Sequence, residues 1–322
     1  MGKKFNDIDH VPTFWPDNDE TRGDMLDYAV EVEHYDMHLG RILAVLEKAG
    51  QLDNTLIVAT SDHGMPFPRC KGQAYDYSNH IPLAIRWPKG IQGRNRTVID
   101  FVNFTDLAPT FLQAAGVKKV APIMQPMSGR SLFDIFGSPK SGQVIASRDH
   151  VLLGKERHDV GRPNNQGYPI RGIRKGDHLY LHNFEPDRWP VGNPETGYLN
   201  TDASPIKTLL LNQRRQGNYK YWLLNFGKRP AEELFNVKTD RDCVKDLAGT
   251  KAQAALKASL KKQLFAELKK QGDPRMFGRG DVFEKYGFAS DMWDQFYEKY
   301  QRGEKIRTGW VLPSDYEKEK LD

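Results

Sequence analysis

The sequence lacks the features that mark membrane-spanning, disulfide-rich and zinc-finger proteins. It has two cysteines in 322 residues, Cys70 and Cys243, which are too few for a disulfide framework and do not have zinc-finger spacing. A single bridge between them is left open. No run approaches the roughly 18 apolar residues that a membrane-spanning helix needs, and residues 1–7 contain no apolar signal core. We therefore expect no membrane span, and either a cytoplasmic protein or a sequence whose true beginning is missing.

Several common catalytic signatures are also missing. There is no Gly-x-Ser-x-Gly elbow, no phosphate-cradling glycine-rich loop with a lysine, and no paired-cysteine motif. These absences argue against a serine hydrolase, a nucleotide triphosphatase and a zinc finger. The charge is weak as well, because 47 basic and 42 acidic residues leave a net charge of +5. This balance does not predict nucleic-acid binding, and it fits an anionic substrate as well as no charged partner.

What the first part of the chain does contain is a pattern typical of an α/β fold. Residues 56–60 form an apolar, β-branched run, which predicts a strand buried on both faces of a parallel sheet. A helix is predicted over residues 24–49, since its apolar residues recur at spacings of three and four. Further strands are predicted at 81–88 and 97–103, and a helix at 105–113. The apolar stripe of the first helix consists of Val32, Tyr35, Leu39, Ile42 and Leu46.

The pattern changes after residue 117, where prolines and glycines mark a connecting segment. Shorter candidate strands then follow, and Lys175-Gly176-Asp177 between two of them predicts a hairpin turn. We predict that residues 1–137 form the α/β portion. Residues 138–322 are predicted to form a smaller α+β subdomain with an antiparallel sheet. The predicted strands are 143–147, 168–174, 178–183 and 233–237, and the predicted helices are 251–271 and 291–300.

The candidate site lies at the end of the first predicted strand. Asp62 and His63 follow this strand directly, and ligands in open α/β sheets bind beyond the carboxyl ends of the strands. A carboxylate beside an imidazole suits a divalent cation. Lys71 follows within reach of the same loop and could hold an anion bound to that cation. His158, in the polar stretch 154–158, is a weaker candidate that either contacts an anion or is solvated.

Several stretches resemble the sulfatase family of the alkaline-phosphatase superfamily. They are residues 53–64, 81–90, 102–110 and 233–248, in the order the family has them, and the resemblance covers nearly the whole chain. Residues 65–68 and 168–171 are similar, more narrowly, to the heparan N-sulfatase (sulfamidase)-like branch.

The resemblance implies an alkaline-phosphatase-like parallel-sheet portion, truncated, followed by the α+β subdomain. It also implies hydrolysis of a sulfate ester or N-sulfate, on a sugar, with one divalent cation, usually Ca²⁺. Asp62 matches the metal-binding aspartate of the family, and His63 occupies the position of a neighbouring Asn or His ligand. Because calcium prefers oxygen ligands, an imidazole there makes Mn²⁺ or Zn²⁺ an alternative. Lys71 matches a cationic residue that contacts the sulfate, and His158 aligns loosely with a substrate-contacting region.

The chain departs from the family in its nucleophile. Sulfatases attack sulfur with a formylglycine hydrate made from a Cys/Ser-x-Pro-Ser-Arg motif, and this motif is absent here, as are the paired aspartates near the first strand of the family. We therefore expect the C-terminal portion of a sulfatase that does not turn over substrate by itself. The resemblance implies a periplasmic, secreted or lysosomal protein.

Two other functions remain open at this point. One is a phosphonate or phosphodiester hydrolase of the same superfamily, in which Asp-His metal pairs also occur. The other is a non-catalytic module that binds anionic glycans through its cationic loops. The expected partner is a sulfated small molecule or glycan, with no nucleic acid.

Overall fold

The first long helix, α1, extends over Asp19–Lys48 in the computed structural model, which describes residues 3–118, 125–158 and 160–321. It begins five residues before the predicted start because the Asn18 side chain accepts a hydrogen bond from the Thr21 backbone N–H and caps the helix. Its apolar stripe is only partly covered. Val32, Tyr35 and Ile42 are 47%, 51% and 57% exposed.

Two short strands follow, β1 (Ile57–Thr60) and β2 (Leu83–Arg86), and they pair antiparallel. Both positions agree with the predicted strands, but β1 is half-buried and its described partner runs in the opposite direction. The connection between them, residues 61–82, contains one short helix, α2 (Asp76–Asn79). The predicted strand at 97–103 is wrong, since this stretch contributes only a single bridge from Val98 to Gly142.

The second half contains the predicted antiparallel sheet. Its four strands are ordered β3-β4-β5-β6, and the hairpin turn at residues 175–177 is confirmed. The strands are β3 (His150–Lys155), β4 (Ile170–Lys175), β5 (His178–Asn183) and β6 (Glu232–Asn236). The strand predicted at 143–147 is wrong, because the chain pairs a few residues later, at β3.

The remaining helices of the described residues range from single turns to 18 residues. Those at 107–114, 254–271 and 296–301 agree with the sequence predictions, whereas those at 205–215 and 220–226 fall where the sequence had predicted no helix. They are α3 (Leu107–Ala114), α4 (Phe133–Phe136), α5 (Pro205–Arg215), α6 (Lys220–Phe226), α7 (Ala254–Gln271), α8 (Val282–Lys285) and α9 (Phe296–Gln301). None of the described helices combines the length and apolar character needed to cross a bilayer.

The four-stranded sheet is covered on both faces. One of these faces packs against residues from the first half of the chain, so the two halves are in contact there. On one face Leu260, Leu264 and Leu268 of α7 pack against the sheet residues Ile173 and Tyr180. The opposite face packs against residues 74–75 and against Cys243. Successive side chains of a strand point to opposite faces of the sheet, because the strand is pleated. The segment that follows Asp62 and His63 is therefore held on the subdomain sheet.

The two cysteines are buried and unbridged. Cys70 and Cys243 are both free thiols, so the bridge left open by the sequence is not formed. Cys70 lies in a core with Phe14 and Trp15 from the N-terminal segment and Leu210 from α5. This shared core adds a second contact between the early and late parts of the chain. The domain boundary after residue 137 stays a prediction.

The contrast between α1 and α7 predicts a difference in stability. Leu264→Ala removes a side chain that is 0% exposed, so we expect the free energy of unfolding to fall by about 2–5 kcal/mol. Ile42→Ala, also in the interior of a long helix, removes a side chain from a residue that is 57% exposed and should change it by less than about 0.5 kcal/mol. Urea denaturation of both variants measures this, and equal losses would contradict the partly uncovered stripe of α1.

A second prediction concerns Glu232, which joins β6 to α7. Its burial raises its pKa, but hydrogen bonds from Tyr180, Lys261 and Lys257 outweigh this and bring the pKa to about 2. Because the folded pKa lies below the unfolded value, the stabilisation is complete above about pH 4.5 and is lost as the pH falls toward about 2. Glu232→Gln should therefore lower the free energy of unfolding near neutral pH, and the gap to the wild type should close in acid.

Urea denaturation at a series of pH values measures this difference in the free energy of unfolding between Glu232→Gln and the wild type. Glu47→Gln, at an exposed position of α1, is the control and should show no comparable gap. A gap for Glu232→Gln that is independent of pH would contradict the assignment.

Candidate functional site

The candidate site is the loop that leaves β1. The Ser61 hydroxyl donates to the His63 backbone carbonyl over 2.8 Å, and the His63 backbone N–H donates to Asp62 Oδ1 over 3.0 Å. Gly64 follows, and a Cβ at this position would lie 1.8 Å from the Tyr77 carbonyl oxygen. The turn therefore requires glycine, because the backbone packs directly against the α2 segment.

Asp62 and His63 lie together at the surface. Asp62 Oδ2 is 3.7 Å from His63 Nε2, and the two side chains are 86% and 36% exposed. His63 Nδ1 lies 2.7 Å from the Gly64 carbonyl oxygen. Because a carbonyl only accepts hydrogen bonds, this contact assigns the proton of the neutral ring to Nδ1 and leaves a lone pair on Nε2.

This arrangement fits two ligands of one divalent cation. Bonds from such a cation to oxygen or imidazole nitrogen are about 2.0–2.6 Å long, which accommodates two ligand atoms 3.7 Å apart. The hydrogen bond from Nδ1 also orients the ring, as is usual for a histidine that binds metal. Two ligands are fewer than a divalent cation needs, so Asp62 and His63 alone do not complete its coordination shell. Within the described parts of the chain, no group of three or more His, Cys, Asp or Glu residues is placed to hold a metal ion.

Lys71 lies further along the same loop and is paired. Its Nζ is 2.5 Å from Asp202 Oδ2, and the two side chains are 23% and 32% exposed. Asp202 comes 131 residues later in the sequence, from the segment that precedes α5. The ammonium group of Lys71 is therefore fixed by the second half of the chain.

Arg69 anchors the loop that carries Lys71. Its guanidinium donates to the backbone carbonyls of Leu224 and Cys243 and lies 3.9 Å from the centre of the Tyr75 ring. Burial lowers the pKa of this guanidinium. Arg69 also adopts a φ of +68°, which is costly for a residue with a side chain. The packing of the fully buried side chain maintains this backbone conformation.

Gly72 brings a third segment to the loop. Its carbonyl oxygen accepts hydrogen bonds from Lys155 Nζ over 2.6 Å and from Asn200 Nδ2 over 3.2 Å. A Cβ on Gly72 would lie 2.6 Å from Asn200 Oδ1, so the close approach depends on glycine. The end of β3 and the segment before α5 thus converge beside Lys71.

His158 is exposed, and its role remains a prediction. The polar stretch in which it lies is largely structural. Glu156 binds Arg171 over 2.5 Å and Arg275 over 2.6 Å, while Arg157 lies over the Phe288 ring. Arg157, whose charge would attract an anion, is therefore engaged inside the protein, and the Glu156 carboxylate would repel one.

Sequence reasoning did not find Asp202 or Asn200, and it singled out the stretch that contains Lys155 only for His158. The relevance of all three comes from contacts with residues 71 and 72 that only the folded chain creates. The one local signal is Ser204-Pro205, a helix start in which the Ser204 side chain caps α5 and so fixes the end of the Asp202 segment.

The candidate loop lies within a stretch that matches a known protein family. Residues 6–117 match the family model for Sulfatase, and this range contains Asp62, His63 and Lys71. An ulvan-active sulfatase from Formosa agariphila is 26% identical over 287 residues, which cover 88% of this chain and 44% of the relative. Human N-sulphoglucosamine sulphohydrolase is 26% identical over 284 residues, which cover 85% of this chain and 53% of the human protein. The chain spans about half the length of these curated relatives.

A solved structure supports the same assignment. A protein determined in complex with its substrate D-glucosamine-2-N,6-O-disulfate superposes with a TM-score of 0.55 at 26% identity, covering 79% of this chain and 42% of that protein. This likeness confirms the α/β class with a smaller subdomain. Residues 6–117 therefore match the sulfatase family, and the chain over most of its length is similar to sulfatases.

Proposed function

We propose that this chain supplies the cation-binding and sulfate-holding part of a sulfatase active site that acts on a sulfate ester or N-sulfate carried by a sugar. The observation that carries the proposal is the loop of residues 61–72, which lies inside the sulfatase-family match. On this loop a carboxylate and a correctly protonated imidazole stand side by side, and a lysine follows.

Each residue has a distinct role in this proposal. Asp62 and the Nε2 atom of His63 hold one divalent cation, Ca²⁺ in the family, with Mn²⁺ or Zn²⁺ as alternatives that suit the imidazole. When bound, this cation supplies positive charge against the sulfate oxygens. Lys71 donates hydrogen bonds to the same sulfate group and offsets the negative charge that develops there. His158 is retained as a weaker candidate for substrate contact.

The attacking group is not encoded in this sequence. A formylglycine hydrate, which sulfatases make from a Cys/Ser-x-Pro-Ser-Arg motif, is proposed for the whole protein, and the motif is absent from these 322 residues. The chain is about half as long as its curated relatives. Hydrolysis is therefore proposed for the whole protein, whereas binding of cation and sulfate is expected of this chain.

The sugar carrier is supported by the relatives. The human relative is a sulphohydrolase of N-sulphoglucosamine, the Formosa relative acts on ulvan, and the solved relative binds a glucosamine disulfate. The resemblance of residues 65–68 and 168–171 to the N-sulfatase branch points to an N-sulfate. A phosphonate or phosphodiester substrate would use the same residues, so the experiment below includes a phosphonate probe.

The proposal predicts cation-dependent binding of a sulfated sugar by this chain. In calorimetry, glucosamine 6-sulfate and glucosamine N-sulfate should bind the wild type more tightly with CaCl₂ or MnCl₂ present. Asp62→Ala should abolish this dependence and weaken binding about tenfold or more, as loss of metal-site residues commonly does. Lys71→Met should weaken binding with or without the cation, because it removes the charge that meets the sulfate.

Asp53→Ala is the matched control, since its carboxylate is also largely exposed and its partner is Arg86, away from the candidate loop. It should bind like the wild type. Cation-independent binding that Asp62→Ala leaves unchanged would indicate a non-catalytic glycan-binding module. Tighter binding of a phosphonate monoester than of either sulfate would favour the phosphonate hydrolase alternative.

A further inference from the structure

The ion pair of Lys71 with Asp202 places a negative charge beside the proposed sulfate site. The carboxylate oxygen Oδ2 lies 2.5 Å from Lys71 Nζ, and a third of the Asp202 side chain remains exposed. Among the residues that the structure describes, Lys71 is the hydrogen-bond partner of this carboxylate. Oxygen Oδ1 therefore keeps lone pairs that a ligand can use.

The segment that carries Asp202 is firmly held. The fully buried Lys207 amine donates to the carbonyl oxygens of Gly197 and Thr201 and lies 3.2 Å from Asp315 Oδ2, which is equally buried. The Ala203 backbone N–H donates to the Trp310 carbonyl oxygen over 2.7 Å. Asp202 thus lies between Thr201 and Ala203, whose backbone groups are both held by hydrogen bonds. A side chain on such a segment can determine specificity, because its position does not adapt to each ligand.

A carboxylate at this position has opposite effects on different sulfates. It repels a bare sulfate ion or an aryl sulfate, whose carrier offers no hydrogen-bond donor, because like charges lie close together. It attracts a sulfate whose carrier has hydroxyl or ammonium groups near the sulfate, since a carboxylate accepts strong hydrogen bonds from such donors. A sugar or amino sugar meets this requirement.

We propose that Asp202 is a specificity-determining residue that accepts hydrogen bonds from hydroxyl or amino groups of the substrate carrier, and so selects sulfated sugars against inorganic and aryl sulfates. This inference rests on the proposed function, since it needs Lys71 to meet the sulfate. It adds that the segment before α5 contacts the sugar that carries the sulfate, while the loop after β1 binds the sulfate group itself.

The test is a comparison of three probes by calorimetry in the presence of MnCl₂: sodium sulfate, 4-nitrophenyl sulfate and glucosamine 6-sulfate. Asp202→Asn keeps the shape of the side chain and removes its charge. It should weaken binding of the sulfated sugar about tenfold, as expected for loss of charge-assisted hydrogen bonds. The same variant should strengthen binding of the other two probes a few-fold, because the repulsion is gone.

Two further variants separate specificity from structure. Asp149→Asn is the matched control, since it also removes a partly exposed carboxylate paired with a lysine, Lys175, at 3.1 Å, and should change no affinity. Asp202→Glu keeps the charge but displaces it by one methylene. It should therefore still disfavour sodium sulfate while losing part of its preference for the sugar, and thermal denaturation confirms that each variant is folded.

The outcomes distinguish this inference from the proposed function. Changes of the same sign for all three probes, or no change, would overturn the inference and leave Asp202 as a structural partner of Lys71. If Lys71→Met binds every probe as the wild type does, the proposed function fails as well. If Asp202→Asn does not fold, the sugar-to-sulfate affinity ratio of Asp202→Glu decides, and an unchanged ratio overturns the inference.

Discussion

The candidate site depends on one buried cation, the guanidinium of Arg69. A charged group is costly to bury, and for Arg69 this cost is offset by hydrogen bonds to two backbone carbonyls from the second half of the chain and by the face of Tyr75, while its Nε has no hydrogen-bond partner among the described residues. Tyr75 in turn donates to the buried Glu233 of β6 over 3.0 Å. Because Lys71 lies two residues beyond Arg69, this network fixes where the lysine can reach.

The site is therefore shared between two parts of the chain. The loop after β1 contributes Asp62 and His63, the proposed cation ligands, together with Lys71, and the segment before α5 contributes the carboxylate that holds Lys71. The four-stranded sheet supports both, with α7 on one face and residues 74–75 on the other. In this account the loop after β1 binds the sulfate group, and the segment before α5 contacts the sugar to which the sulfate is attached.

The sequence was most informative where a pattern is local. The 3.6-residue periodicity predicted α1 and α7, and the apolar run before Asp62 predicted β1 and the loop that carries Asp62, His63 and Lys71. It was least informative where tertiary contacts decide, as in the antiparallel pairing of β1 with β2 and the shift from 143–147 to β3. Asp202 could not be found from the sequence, since 131 residues separate it from its partner.

The central claim is that one cation and one sulfate meet at the loop after β1. A crystal structure of the chain grown with MnCl₂ and glucosamine 6-sulfate, with the anomalous signal of manganese recorded, tests it most directly. The account predicts manganese bonded to an Asp62 oxygen and to His63 Nε2, with a sulfate oxygen within hydrogen-bonding distance of Lys71 Nζ. Manganese bound at other residues, or a sulfated sugar seated away from Lys71, would contradict it.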